Sequence, residues 1–66
     1  MTRAYAYTFK LANGKEVTLK KSVTDQMEER NFHKAAYAAE YFNRILRSKY
    51  GYKKSIVTAR NLVEIQ

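Results

Sequence analysis

Between residues 4 and 19 the chain carries an alternation that a β-hairpin accommodates and a helix does not. Tyr5, Tyr7, Phe9 and Leu11 alternate with Ala4, Ala6, Thr8 and Lys10, which puts large apolar groups on one face of a strand and small or polar groups on the other. Asn13-Gly14 then marks a turn, and Val17 and Leu19 resume the pattern. A two-residue turn would pair Leu11 with Glu16 and Phe9 with Thr18, leaving Val17 and Leu19 on the face opposite the aromatics. A three-residue loop, Ala12-Asn13-Gly14 with Gly14 left-handed, instead pairs Phe9 with Val17 and Tyr7 with Leu19. It also sets Lys10 across from Glu16 and Thr8 across from Thr18 on the other face, both favourable cross-strand pairs. The hydrophobic pattern therefore selects the three-residue loop.

A helix follows, starting near residue 24. Ser22, Thr24 and Asp25 compete for its N-cap, and Asp25, Glu28 and Glu29 complement its positive end. At the other end Arg47, Lys49 and Tyr50 lead into Gly51, a left-handed C′ residue, with Tyr52 supplying the apolar contact of the cap. Phe32, Ala35, Ala38, Ala39, Phe42, Ile45 and Leu46 share one apolar arc, interrupted by Glu28 and Asn31. A helix of about 26 residues would be about 39 Å long, against about 26 Å for an eight-residue strand. Either the first turns through Asn31 project beyond the sheet, or they form a separate turn before the main helix.

The segment Ser55 to Ile65 is rich in β-branched and aliphatic residues and reads as a third strand, with Val57, Ala59, Val63 and Ile65 on one face and a bulge near Arg60-Asn61. The predicted fold is α+β, in the order β-β-α-β. It comprises a three-stranded antiparallel sheet in the order 2-1-3, with one long helix on one face. Residues 1–66 form a single compact domain. A chain this short buries only about 60% of its unfolded surface, so a homodimer would add contacts that its small core lacks. No repeat or low-complexity segment divides it.

Thirteen Lys and Arg against six Asp and Glu give a net charge of +7, which points to a polyanionic partner and excludes an acidic nucleic-acid mimic. Without cysteine, disulfides, thiolate metal sites and cysteine nucleophiles are ruled out. No apolar run approaches the length of a membrane span or a secretory signal, so the expected setting is cytoplasmic. His33 is the only histidine; it reads as a solvated helix residue near Glu29 and offers no metal or triad partner. The carboxylates Asp25, Glu28 and Glu29 read as capping groups, and neither glycine belongs to a phosphate loop. No metal or cofactor site is expected. A small ribonuclease would need a general acid or base that only His33 supplies. The chain is accordingly expected to bind and not to catalyse.

Three surfaces stand out. From Tyr41 to Val63 the chain contains Arg44, Arg47, Lys49, Lys53, Lys54 and Arg60 and no acid, with Tyr50 and Tyr52 interleaved. Cations and aromatics in this arrangement suit phosphate contact and base stacking. The leading expectation is thus a DNA- or RNA-binding protein with phosphate-dominated, weakly sequence-specific binding through these eight residues. A second surface is the helix stripe of Arg30, Lys34, Tyr37, Tyr41, Arg44 and Ser48. Such a stripe suits an acidic protein surface, as in a small regulator or inhibitor of a larger protein. The third is the sheet face turned from the helix, with Ala4, Ala6, Thr8, Lys10, Glu16, Thr18, Lys20, Thr58 and Arg60, which reads first as a solvated face. Lys21, on the opposite face from Lys20, should reach past the helix edge or snorkel.

Overall fold

A computed structural model describes residues 1–28 and 33–65. Its elements are β1 (Arg3–Lys10), β2 (Glu16–Val23), α1 (Asp25–Glu28), α2 (Lys34–Tyr50), a single 3₁₀ turn (Ala59–Asn61) and β3 (Val63–Ile65). The strands form one antiparallel sheet in the order β2-β1-β3, the predicted α+β topology.

The hairpin has the register that the hydrophobic pattern selects: Phe9 faces Val17, Tyr7 faces Leu19, Thr8 faces Thr18 and Lys10 faces Glu16. Leu11 N–H donates to Lys15 O at 2.8 Å and Gly14 N–H to Leu11 O at 2.9 Å, closing a three-residue loop. Gly14 sits at φ 87°, a left-handed conformation that costs a residue with a Cβ about 1–2 kcal/mol. The Asn13 side chain accepts from Lys15 N–H at 2.9 Å, and the two threonine hydroxyls join across the strands at 2.9 Å.

Of the two alternatives for the helix, the structure takes the second: a separate turn, α1, precedes the one long helix, α2. Thr24 Oγ1 accepts from Met27 N–H at 3.4 Å and starts α1, whereas α2 begins only after His33, whose backbone is extended. His33 Nδ1 accepts from Ala36 N–H at 3.2 Å, so this residue is the N-cap of α2 and not a residue within a helix, as expected from the sequence. A side-chain acceptor at that position satisfies one of the amides that a helix start leaves without a partner. Arg30, Asn31 and Phe32 lie outside the described residues. At the far end Gly51 takes φ 74° and its N–H, with that of Tyr52, returns to Leu46 O, the predicted left-handed cap.

The core lies between α2 and one sheet face. Phe42, Leu46 and Ala38 from the helix, Tyr5 and Phe9 from β1 and Val23 from β2 are buried in it together with Val57. Small residues at 38 and 39 let the helix approach the sheet closely, and α2 lies more over β2 than over β1.

The third strand is much shorter than its composition predicts. Only Val63–Ile65 pairs with β1, as Ala6 with Val63 and Ala4 with Ile65. Val57 is buried, but its backbone is held by a side chain: Asn43 Nδ2 donates to Val57 O at 2.8 Å, and Val57 N–H donates to Asn43 Oδ1 at 2.9 Å. Asn61 Oδ1 then accepts from Thr58 N–H at 2.7 Å and from its hydroxyl at 2.6 Å, curling residues 59–61 into the 3₁₀ turn. Local side-chain bonds of this kind compete with a strand ladder and here prevail. In consequence Val63 and Ile65, placed by partnership with Ala6 and Ala4, lie on the sheet face turned from the helix, and not with Val57. Thr58 and Arg60 are outside the sheet, so the polar sheet face is smaller than expected and includes exposed Val63.

Candidate nucleic-acid interface

The C-terminal half of α2 and the segment that returns along it bring several of the predicted residues together. After the cap at Gly51 the chain reverses. Arg47 Nη1 donates to Ser55 Oγ at 2.6 Å, and the Asn43 clamp fixes Val57 one turn further back along the helix. Lys53 and Lys54 therefore lie in the reversal, next to the helix end that carries Arg47 and Lys49. All four are exposed. Arg60 is also exposed, on the 3₁₀ turn that packs against α2 beyond the clamp.

Electrostatically these cations are open. Among the described residues, Arg47, Lys49, Lys53, Lys54 and Arg60 have no carboxylate partner, and the hydroxyl at Ser55 leaves the Arg47 charge uncompensated. Arg44 differs, since Glu40 lies 3.5 Å from it one turn earlier. Both groups are well exposed, so solvent screening leaves that pair a small contribution. The negative end of the α2 dipole favours one or two cations at Arg47 and Lys49; Lys53, Lys54 and Arg60 lie beyond its last turn.

Tyr50 and Tyr52 do not stand free as stacking platforms. Both are half-buried and meet Phe9 edge-on, at centroid distances of 5.1 and 6.0 Å. Their rings close the core at the helix end, which makes them supports for the basic segment. Lys49 Nζ lies 5.8 Å from the Tyr50 ring centroid.

The helix stripe is also divided. Lys34 is buried and bonds to Asp25 at 2.6 Å, so it is not on an exposed face. Tyr37 and Tyr41 are half-buried and pack against the core, while Arg44 and Ser48 are exposed. Arg30 lies outside the described residues. Lys21 extends across the sheet edge with Nζ 4.6 Å from the Tyr41 ring centroid, the reach predicted for it.

At the opposite end of α2 the charges are matched. Asp25 bonds both Lys34 and the N-terminal amine, which hold its carboxyl at about 2, below the ordinary 3.8. Arg3 pairs with Glu64 at 3.2 Å. An open cleft of about 380 Å³ lies there, lined by Arg3, Tyr5, His33 and Lys34; both of its strong cations are engaged by these carboxylates.

The sequence reading missed Asn43. An Asn at the edge of the apolar arc, next to Phe42 in sequence, was its only signal. Among the described residues no helix is long and apolar enough to cross a membrane. Comparison with family models, curated proteins and solved structures finds no match to this chain.

Proposed function

We propose that this protein binds nucleic acid through phosphate contacts at the C-terminal end of α2 and the segment after it, without catalysing a reaction. Arg47, Lys49, Lys53 and Lys54 form the centre of the surface, with Arg44 and Arg60 to either side. The observation that carries the reading is that five exposed cations there have no carboxylate partner among the described residues, while Arg3 and Lys34 near the other end of the helix do. Exposed cations in excess of what a helix dipole needs raise the local potential and favour a polyanion. Because Tyr50 and Tyr52 are engaged by Phe9, base stacking contributes little and sequence preference is weak. A cytoplasmic setting is part of this reading.

Fluorescence anisotropy with labelled single- and double-stranded DNA and RNA, each at low and moderate salt, tests it. The reading expects binding in the micromolar range or tighter at low salt, falling steeply as salt rises. Absence of binding to all four at low salt would overturn it.

A further inference from the structure

We propose that the free edge of β2, flanked by the tyrosines of α2, is a docking site for an extended acidic segment of a partner protein. The edge follows from the register. Leu11 N–H bonds Lys15 O, so hydrogen-bonded pairs recur at every second residue, Phe9 with Val17, Tyr7 with Leu19 and Tyr5 with Lys21. The residues between them, Glu16, Thr18, Lys20 and Ser22, direct their N–H and C=O groups outward. The order β2-β1-β3 leaves that side of β2 without a strand, and no backbone partner covers these groups among the described residues. The edge runs for eight residues, long enough for a partner strand of ordinary length.

Two features make it a groove and not only an edge. α2 packs against both β2 and β1, and Lys21 rises from the strand to the Tyr41 ring, so Tyr41 stands beside the edge on the helix side, with Tyr37 one turn earlier on α2. Val17 and Leu19 are half-buried on the same face. A strand added to β2 would thus alternate between side chains resting on Leu19 and the tyrosine flank and side chains on the opposite face near Thr18 and Lys20. Charge selects the occupant. Lys20 and Lys21 are adjacent near the middle of the edge, the acid on the helix flank, Glu40, is paired with Arg44, and Glu16 is at the far end opposite Lys10. A second copy of this chain would bring another +7 to an edge already marked by lysines, which disfavours self-pairing. An acidic strand meets both the open backbone groups and the lysines.

The site is separate from the phosphate surface, and the test keeps the two apart. The probe is a fluorescein-labelled peptide of about ten residues alternating Glu and Val, long enough to span the edge. The control replaces alternate Val with Pro, keeping the charge and removing strand pairing. The expected result is saturable binding of the first peptide and not of the control, with amide exchange at Glu16, Thr18, Lys20 and Ser22 slowed by about tenfold. Lys20→Glu/Lys21→Glu should weaken that binding by about tenfold or more while weakening duplex binding much less than Lys53→Glu/Lys54→Glu, which makes the same change in net charge. Thr18→Pro removes one outward N–H and should weaken the peptide alone. If Thr18→Pro does not fold, the lysine variant decides. Equal binding of both peptides, with shifts at residues 47–54, would mean that the peptide acts as a polyanion on the other surface and would overturn the proposal. So would protection of the β2 edge without peptide, accompanied by a dimer in sedimentation.

Discussion

The two ends of α2 treat charge in opposite ways. At the N-terminal end Lys34 and the N-terminal amine share Asp25, and Arg3 has Glu64, so positive charge there is consumed in tying α1 and the chain's start to the helix and β1 to β3. At the C-terminal end Arg47, Lys49, Lys53 and Lys54 meet no carboxylate among the described residues, and the structure is held by uncharged means: the Gly51 cap, the Phe9–Tyr50–Tyr52 ring cluster and the Asn43 clamp. Ionic contacts organise one end, and at the other apolar and hydrogen-bond contacts free the cations for a partner. Net charge alone does not reveal this; the placement of Asp25 and Glu64 does.

Substitutions can break that contrast in graded steps. The largest effect should come from Asn43→Leu, which keeps the side-chain bulk but strips two hydrogen bonds from Val57. Each buried group left without a partner costs about 1–3 kcal/mol, so urea denaturation should show a loss of about 2–6 kcal/mol, enough to unfold a small domain or to release the basic segment. Retention of the wild-type midpoint would mean that Val57 does not depend on the clamp. Next, Lys53→Glu/Lys54→Glu should cut nucleic-acid affinity by at least about tenfold while changing stability by no more than about 0.5 kcal/mol, because both side chains are exposed and make no hydrogen bond or ion pair among the described residues.

Changes at the N-terminal end should act in reverse, on stability and not on binding. His33→Asp supplies a stronger N-cap and a negative charge at the positive helix end. It should raise the thermal midpoint, by about 0.5–1 kcal/mol of stability, with affinity for nucleic acid unaltered. The smallest effect is acid dependence. The folded Asp25 carboxyl lies at about 2 against an ordinary 3.8, so its contribution is complete above about pH 4 and fades as the pH falls towards 2. Asp25→Asn should flatten that part of the stability profile, measured by denaturant titration between pH 5 and pH 2. An unchanged profile would show that the ion pairs at this end are incidental.

Much of this was legible in the sequence where pattern and local chemistry agree. The alternation at Tyr5–Leu11 fixed the register because a shift by one residue would expose every aromatic. Gly51 after Arg47 and Lys49 fixed the helix end for a similarly local reason. The break between α1 and α2 was visible in the interruption of the apolar arc at Glu28 and Asn31 and in a mismatch of lengths, but not in its position, since the N-cap of α2 is His33, a weak capping signal. The third strand is shorter than its composition suggests: β-branched content at 55–65 argues for extended backbone, which Thr58, Leu62 and Val63–Ile65 have, but ladder partners form only at Val63–Ile65. Asn43, which supplies partners to Val57, and Asn61, which turns the chain, act through tertiary placement that no local pattern encodes. The basic segment was visible as charge, whereas the role of Tyr50 and Tyr52 depended on where Phe9 sits.

The most direct test of the contrast is the salt dependence of binding to a DNA duplex, measured for the wild-type protein, for Lys53→Glu/Lys54→Glu and for Arg3→Gln. Each phosphate contact contributes about −0.9 to the slope of log K against log salt. The account predicts a wild-type slope of about −3 to −5, made shallower by about 2 in the lysine variant and left unchanged by Arg3→Gln. A slope near zero, or one altered equally by changes at either end of α2, would contradict it.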